Sequence, residues 1–250
     1  MSPMAIALIA FACIFGGALC GLFCRRWLPE HHLSTDTKDV VQLAIAVVAT
    51  MSALVLSLLI ASAKSSHDAR RSEFTQLSAD ILLLDRSLDH YGPETKDIRS
   101  LLRHSVGGML DRMSAGASQK PKLEPWGVDA KRLHDGIHTL SPRDEIQRSM
   151  QGQAMKVLGD LGHRRWLLFA ESGSAVPMPF LIVLIFWLAI IFASFGLFAP
   201  VNATVIATFV VCALSVSGAV FLILELDRSF VGLLQISDAP LREAFAHLGE

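Results

Sequence analysis

The chain has 250 residues, 52% of them hydrophobic and 18% charged, with a mean hydropathy of +0.47. That is too apolar and too charge-poor for an ordinary soluble domain. A net charge of −1 gives no sign of nucleic-acid binding.

The apolar residues gather in four nearly uncharged stretches, 4–24, 40–63, 178–199 and 203–226. Each is long enough to cross a hydrocarbon core about 30 Å thick at ~1.5 Å per residue. The pattern predicts an all-α integral membrane protein with four transmembrane helices. A helical cytoplasmic domain is expected between spans two and three. The expected divisions are 1–63 for spans one and two, 64–175 for the inserted domain, 176–227 for a hairpin of spans three and four, and 228–250 for a C-terminal interfacial and amphipathic segment.

The first span has no basic leader and no small-x-small cleavage site, so it reads as a retained helix. Leu19 spoils "GALC" as a lipoprotein box. Within "GGALCG", Gly17 and Gly21 share one helix face and predict a close approach by another backbone. Cys13, Cys20, Cys24 and Cys212 show neither disulfide nor zinc spacing, and are expected to serve as small apolar side chains in helix packing.

The connection "LPEHHLSTDTKD" holds His31 and His32 beside Glu30, Asp36 and Asp39. Adjacent histidines do not easily point at one ion and no thiol is near, so a metal site is not expected. Ser34 or Asp36 suits the N-cap of the next helix, and Asp36 and Asp39 suit its positive dipole end.

Span two runs without a turn signal into a continuation where Phe74, Leu77, Ile81, Leu84, Leu88 and Tyr91 repeat in heptad steps. One long helix is predicted, ending at Gly92-Pro93. A helix over about 94–114 follows, with Ile98, Leu101, Leu102, Val106, Met109 and Met113 on one side. Residues 114–127 read as a loop and 128–140 as a short helix. Ser141 is the expected N-cap of the next helix, with Asp144 three residues on. Ile146, Met150, Val157, Leu161 and Leu168 are its expected packed face. "SGSAVPMP" breaks the chain before span three, and "APVN" makes a tight turn before span four. Phe230, Val231, Leu233, Leu234 and Ile236 suit a membrane interface. A last helix over about 239–248 carries Leu241, Phe245 and Leu248 on one face.

Basic residues near the span ends favour a cytoplasmic N-terminus. That orientation puts Lys64, Arg70, Arg71, Arg164, Arg165, Arg228 and Arg242 inside, and Arg25, Arg26 and Lys38 outside.

Catalysis within the membrane needs polar machinery at depth. The span interiors hold no Asp, His, Lys or Arg, and Glu225 sits at a helix end. An enzyme is therefore not expected, and neither is a cofactor. His67, His90, His104 and His163 are scattered. His134 and His138 are four apart on one face, a spacing that fits a metal pair but more simply an exposed helix surface.

Span two carries the most informative pattern. Gln42, Ala46, Thr50, Ala53, Ser57, Ala61 and Lys64 advance by threes and fours along one stripe about 100° wide. Such a stripe serves close helix packing. It also serves a water-filled path when several copies face one axis. In the second case His31, His32, Asp36 and Asp39 lie at the outer mouth, where the histidines would confer pH sensitivity. Glu225, Asp227 and Arg228 lie at the cytoplasmic vestibule, and Glu225 and Arg228 are spaced to pair.

Several segments are similar to the bestrophin-like family of mostly bacterial four-span membrane proteins. They are "LPEHHLSTDTKDVV", "ATMSALVLSLLIASAKSSHD", "LLLDRSLDHYGPETKDIR", "FASFGLFAPVNATV" and "FLILELDRSFVGLLQISDAPLREA". Val201 departs from the basic residue expected in the hairpin, and Arg228 stands at a position expected to vary. The resemblance to bestrophins proper implies a homo-oligomeric ion channel of the bacterial inner membrane, lined by the second span, with cytoplasmic termini. Bestrophins narrow their pore with bulky apolar side chains, whereas the stripe here is small, so selectivity does not carry over. The expected partners are the lipid bilayer, further copies of the chain and permeating ions. The alternative is a non-conducting scaffold or sensor that binds a partner through the inserted helices.

Overall fold

The structure is a computed structural model that describes residues 2–25, 27, 35–114, 128–170, 177–227 and 235–249, the side chains of 35–37, 114, 128 and 168–170 excepted. The described residues are helical, with eight α-helices: α1 (Pro3–Cys24), α2 (Thr35–Tyr91), α3 (Lys96–Ser114), α4 (Val128–His138), α5 (Glu145–Ala170), α6 (Met178–Phe198), α7 (Ala203–Asp227) and α8 (Ala239–His247). Four of them, α1, α2, α6 and α7, include stretches long and apolar enough to cross a membrane. The chain divides into two compact units, Met1–His67 with Ser174–Arg228, and Asp68–Gly173 with Ser229–Glu250. The division falls inside α2, which contributes to both.

In the first unit α1 packs against α6 and α7. Ser2 caps α1, its hydroxyl accepting from the Ala5 amide at 3.2 Å, and Pro3 opens the first turn. The predicted glycine face is where the backbones meet. A Cβ on Gly17 would stand 2.6 Å from the Ala189 carbonyl oxygen, and one on Gly21 would collide with the Ala193 backbone. Gly196 of α6 answers from the other side, against Ala18 and Leu22. Small residues let dispersion contacts form along both backbones, which matters where lipid removes the hydrophobic drive between helices. Ile14, Ala18, Ile191, Phe192, Phe209 and Ala213 fill the space around this contact. Arg25, just past α1, donates from Nη1 to the Ala199 carbonyl at the C-terminal end of α6, where the helix dipole favours a cation.

The second unit is built on the heptad positions of α2. Phe74, Leu77, Ile81, Leu84, Leu88 and Tyr91 are all buried. Leu102 and Val106 of α3, Leu133 and Ile137 of α4, Ala154, Val157 and Leu158 of α5, and Ile236, Leu241 and Leu248 near the C-terminus complete the core. Gly92 ends α2 at φ +130°, a conformation that side chains disfavour. The Thr95 hydroxyl then donates to the carbonyls of Leu88 and Gly92, at 2.6 and 2.8 Å. The helix expected from about residue 94 begins as a 3-10 turn at Pro93–Thr95 before α3.

α5 starts later than its sequence suggests. Asp144, not Ser141, is the cap, its carboxylate accepting from the Gln147 amide at 2.7 Å. Gln147 holds this start from the other side, its side-chain oxygen accepting from the Arg143 amide at 2.8 Å. Ile146, an expected core position, falls in this first turn and is 69% exposed. Gln147 and Gln151 instead face the neighbouring helices and cap their last carbonyls. Gln147 donates to Tyr91 O at 3.0 Å, and Gln151 to Ile137 O and Leu140 O at 2.9 and 3.0 Å.

Two ion-pair clusters fasten α2 within this unit. Arg99 donates from Nε and Nη2 to both oxygens of the buried Asp85, at 2.8 and 2.9 Å, and pairs with Asp89. Hydrogen bonding to Asp85 raises the Arg99 pKa further, against the opposing effect of burial. Asp85 also accepts from the Gly249 amide at 3.3 Å. Arg103 donates to the Leu248 carbonyl and lies 4.9 Å above the Phe245 ring. Arg164 of α5 bridges Asp80 at 2.8 Å and Glu73 at 3.2 Å.

Candidate functional site

The stripe on α2 forms a single surface. Gln42, Ala46, Thr50, Ala53, Ser57, Ala61 and Lys64 are all exposed. The face turned away from them is packed. Ile45, Ser52, Leu59 and Ala63 are buried, with Val41, Val48, Ala49, Val55 and Leu56 half-buried beside them. A third sector carries Leu43, Val47, Met51, Leu54 and Leu58, large, apolar and exposed. Of the four apolar helices α2 is the least covered, with 17% of its apolar window buried against 28–39% in the others.

Two hydroxyl groups on this part of α2 are satisfied by the helix itself. Thr50 Oγ1 donates to the carbonyls of Val47 and Ala46, at 2.8 and 3.1 Å. Ser52 Oγ donates to Val48 O at 2.7 Å. A buried Ser52 therefore needs no partner on another helix, and an exposed Thr50 needs no water to complete its donor. Chemically the stripe offers small methyl and hydroxyl groups, one amide at Gln42 and one cation at Lys64.

The other expected site residues are only partly brought into view. His31, His32 and Arg228 lie outside the described residues, as do Ser34, Arg26, the loop 115–127, the break at 171–176 and the apolar residues 230–234. The backbone of Asp36 is helical, part of α2 (Thr35–Tyr91) rather than its cap. Asp39 is exposed near the start of α2. Glu225 is buried, 6% exposed, and Asp227 is half-buried.

His134 and His138 are both exposed on α4, with ring centroids 6.3 Å apart. Among the described residues no group of three or more His, Cys, Asp or Glu side chains gathers to hold a metal ion. The cysteines depart from expectation. All four are free and exposed, so none serves the packing within this chain.

Two features go beyond what local sequence spacing shows. The first is the Arg25 contact with Ala199, which joins residues far apart in sequence. The second is the division of the non-stripe side of α2 into a buried and an exposed sector. Ser52 carried a usable signal for that division, because it lies among large apolar residues off the stripe.

No curated protein and no solved structure matches the chain. The family model for the bestrophin-like domain matches residues 12–241, from within α1 to within α8. Together with four helices able to cross a membrane, that match identifies a membrane protein that belongs to the bestrophin-like family.

Proposed function

We propose that the chain is a homo-oligomeric ion channel of the bacterial inner membrane, with α2 lining the pore and the helices of the second unit forming a cytoplasmic vestibule. One observation carries this reading. All seven small or polar stripe residues are exposed on the single chain, while the side of α2 turned away from them is packed. The chain keeps a continuous, weakly polar surface along a helix long enough to span a bilayer. Copies arranged about an axis would turn that surface to water, and the neighbouring sector of Leu43, Val47, Met51, Leu54 and Leu58 to lipid or to the next copy. Membership of the bestrophin-like family supports the same reading.

The proposed orientation puts both termini and the second unit in the cytoplasm. Arg25 counts less against it than its charge alone would. Its guanidinium is engaged by the Ala199 carbonyl, a structural task that is the same on either side of the membrane. In this reading the chain is not an enzyme and carries no cofactor. The scaffold alternative needs a partner surface on the inserted helices, and the heptad leucines Leu84 and Leu88 are apolar candidates for it. Both are buried by helices of their own chain, so that reading draws no support from them.

The test is flux from liposomes holding the purified protein. Ser57→Trp is expected to cut flux at least tenfold by filling the axis. Leu54→Trp, on the exposed apolar sector, is expected to leave it within twofold. Flux indifferent to Ser57→Trp would remove the pore assignment.

A further inference from the structure

Cys20 and Cys24 sit one turn apart at the end of α1, both exposed, with their sulfurs 4.0 Å apart. Cys13 lies on the same side of the helix, but seven residues at ~1.5 Å each set it roughly 10 Å along the axis from Cys20. Cys24 is the last residue of α1, and the exposed Trp27 follows it. Tryptophan at a span end favours the lipid–water boundary, so Cys24 stands within a turn of that boundary and Cys20 one turn further into the span.

We propose that Cys20 and Cys24 form a two-thiolate binding site for a soft monovalent metal ion, copper(I). A copper(I) ion held by two thiolates alone sits nearly in line between them, and with a metal–sulfur distance close to the roughly 2.3 Å of zinc the sulfurs stand roughly 4.6 Å apart. The observed 4.0 Å is shorter than this, and rotation about the two side chains opens the gap for one ion. Thiolates select soft ions such as copper(I). Zinc in a structural site takes four ligands, and the described residues offer no group of three or more. Binding forms two copper–sulfur bonds and releases the two thiol protons to solvent. Copper stays in the +1 state throughout, and the bis-thiolate complex carries a single negative charge. The positively charged Arg25 is the next residue in the chain. The site does not depend on whether the chain conducts ions.

The experiment uses the full chain, reduced in detergent under argon, with copper(I) divided between the protein and a coloured copper(I) chelator. One copper per chain is expected to be withheld from the chelator. Cys20→Ala and Cys24→Ala are each expected to weaken retention at least tenfold, while Cys13→Ala and Cys212→Ala retain copper as the parent does. Alanine at these exposed helical positions keeps the fold, and an unchanged elution volume verifies this for each variant. Undiminished retention in either Cys20→Ala or Cys24→Ala overturns the proposal. So does equal loss in all four variants, or retention that disappears in a His31→Ala/His32→Ala double variant.

Discussion

Residues 35–67 and 68–91 belong to one continuous helix, yet the two stretches are packed on opposite terms. In the C-terminal stretch every heptad residue is hidden, and even Ser78, Asp85 and Ser87 are buried. In the N-terminal stretch a single face is hidden, and two adjoining sectors, one small and weakly polar and one large and apolar, remain open. In the proposed arrangement, where the second unit lies in the cytoplasm, burial from water at ~25 cal/mol per Å² holds the C-terminal stretch together. Exposed leucines in the N-terminal stretch incur no such cost against lipid tails, which are as apolar as they are. Exposure thus carries different information in the two stretches. An open Leu54 is what a bilayer permits. An unbroken row from Gln42 to Lys64 left uncovered calls for a neighbour that is not lipid, and for the proposed channel that neighbour is the pore water.

The largest expected effect breaks the packed stretch. Leu84 is fully buried at the centre of the second unit, so Leu84→Ala is expected to destabilise that unit by about 3 kcal/mol through lost burial and an unfilled cavity. Denaturant unfolding in detergent, followed by circular dichroism, reads this directly. A loss below about 1 kcal/mol would mean the heptad core is looser than its burial indicates. The next effect tests the other packing rule. Gly21→Val drives side-chain carbon into the Ala193 backbone and is expected to cost about 2 kcal/mol. Thermal aggregation in detergent would then begin earlier than in the parent. Gly16→Val, with open space around it, is the matched control and is expected to leave the onset unchanged.

These outcomes bear on what was legible in the sequence. The heptad repeat and the Gly17–Gly21 face each depend on spacing within one helix, and helix periodicity is strict enough for both to be read directly. The break at Gly92-Pro93 was legible for the same local reason. The start of α5 was not, because Asp144, expected as the third residue of a helix capped by Ser141, is itself the cap, and its pairing with Gln147 decides the first turn. Ile146 followed the helical period yet fell outside the core, since period alone does not say where along a helix its partners begin. The stripe was legible as a pattern. That it stays uncovered by the rest of the chain was not, because a row of small residues is equally what a packed interface requires.

The smallest expected effect compares two serines on one helix. Ser52 is 3% exposed, and Ser57, more than a turn further on, is exposed on the stripe. Leucine at 52 must fit into a filled space and is expected to cost about 1 kcal/mol of stability. Leucine at 57 meets nothing within its own chain and is expected to change stability by less than about 0.5 kcal/mol. Function is expected to order the pair the other way. Ser57→Leu narrows and dries the proposed path, so flux should fall severalfold. Ser52→Leu, on the packed side, should leave flux per folded protein near the parent value. Both readouts are needed, since an aggregated variant and a blocked one look alike in flux alone. If the two leucines instead lowered flux equally, the division of α2 into a packed face and a conducting face would not hold.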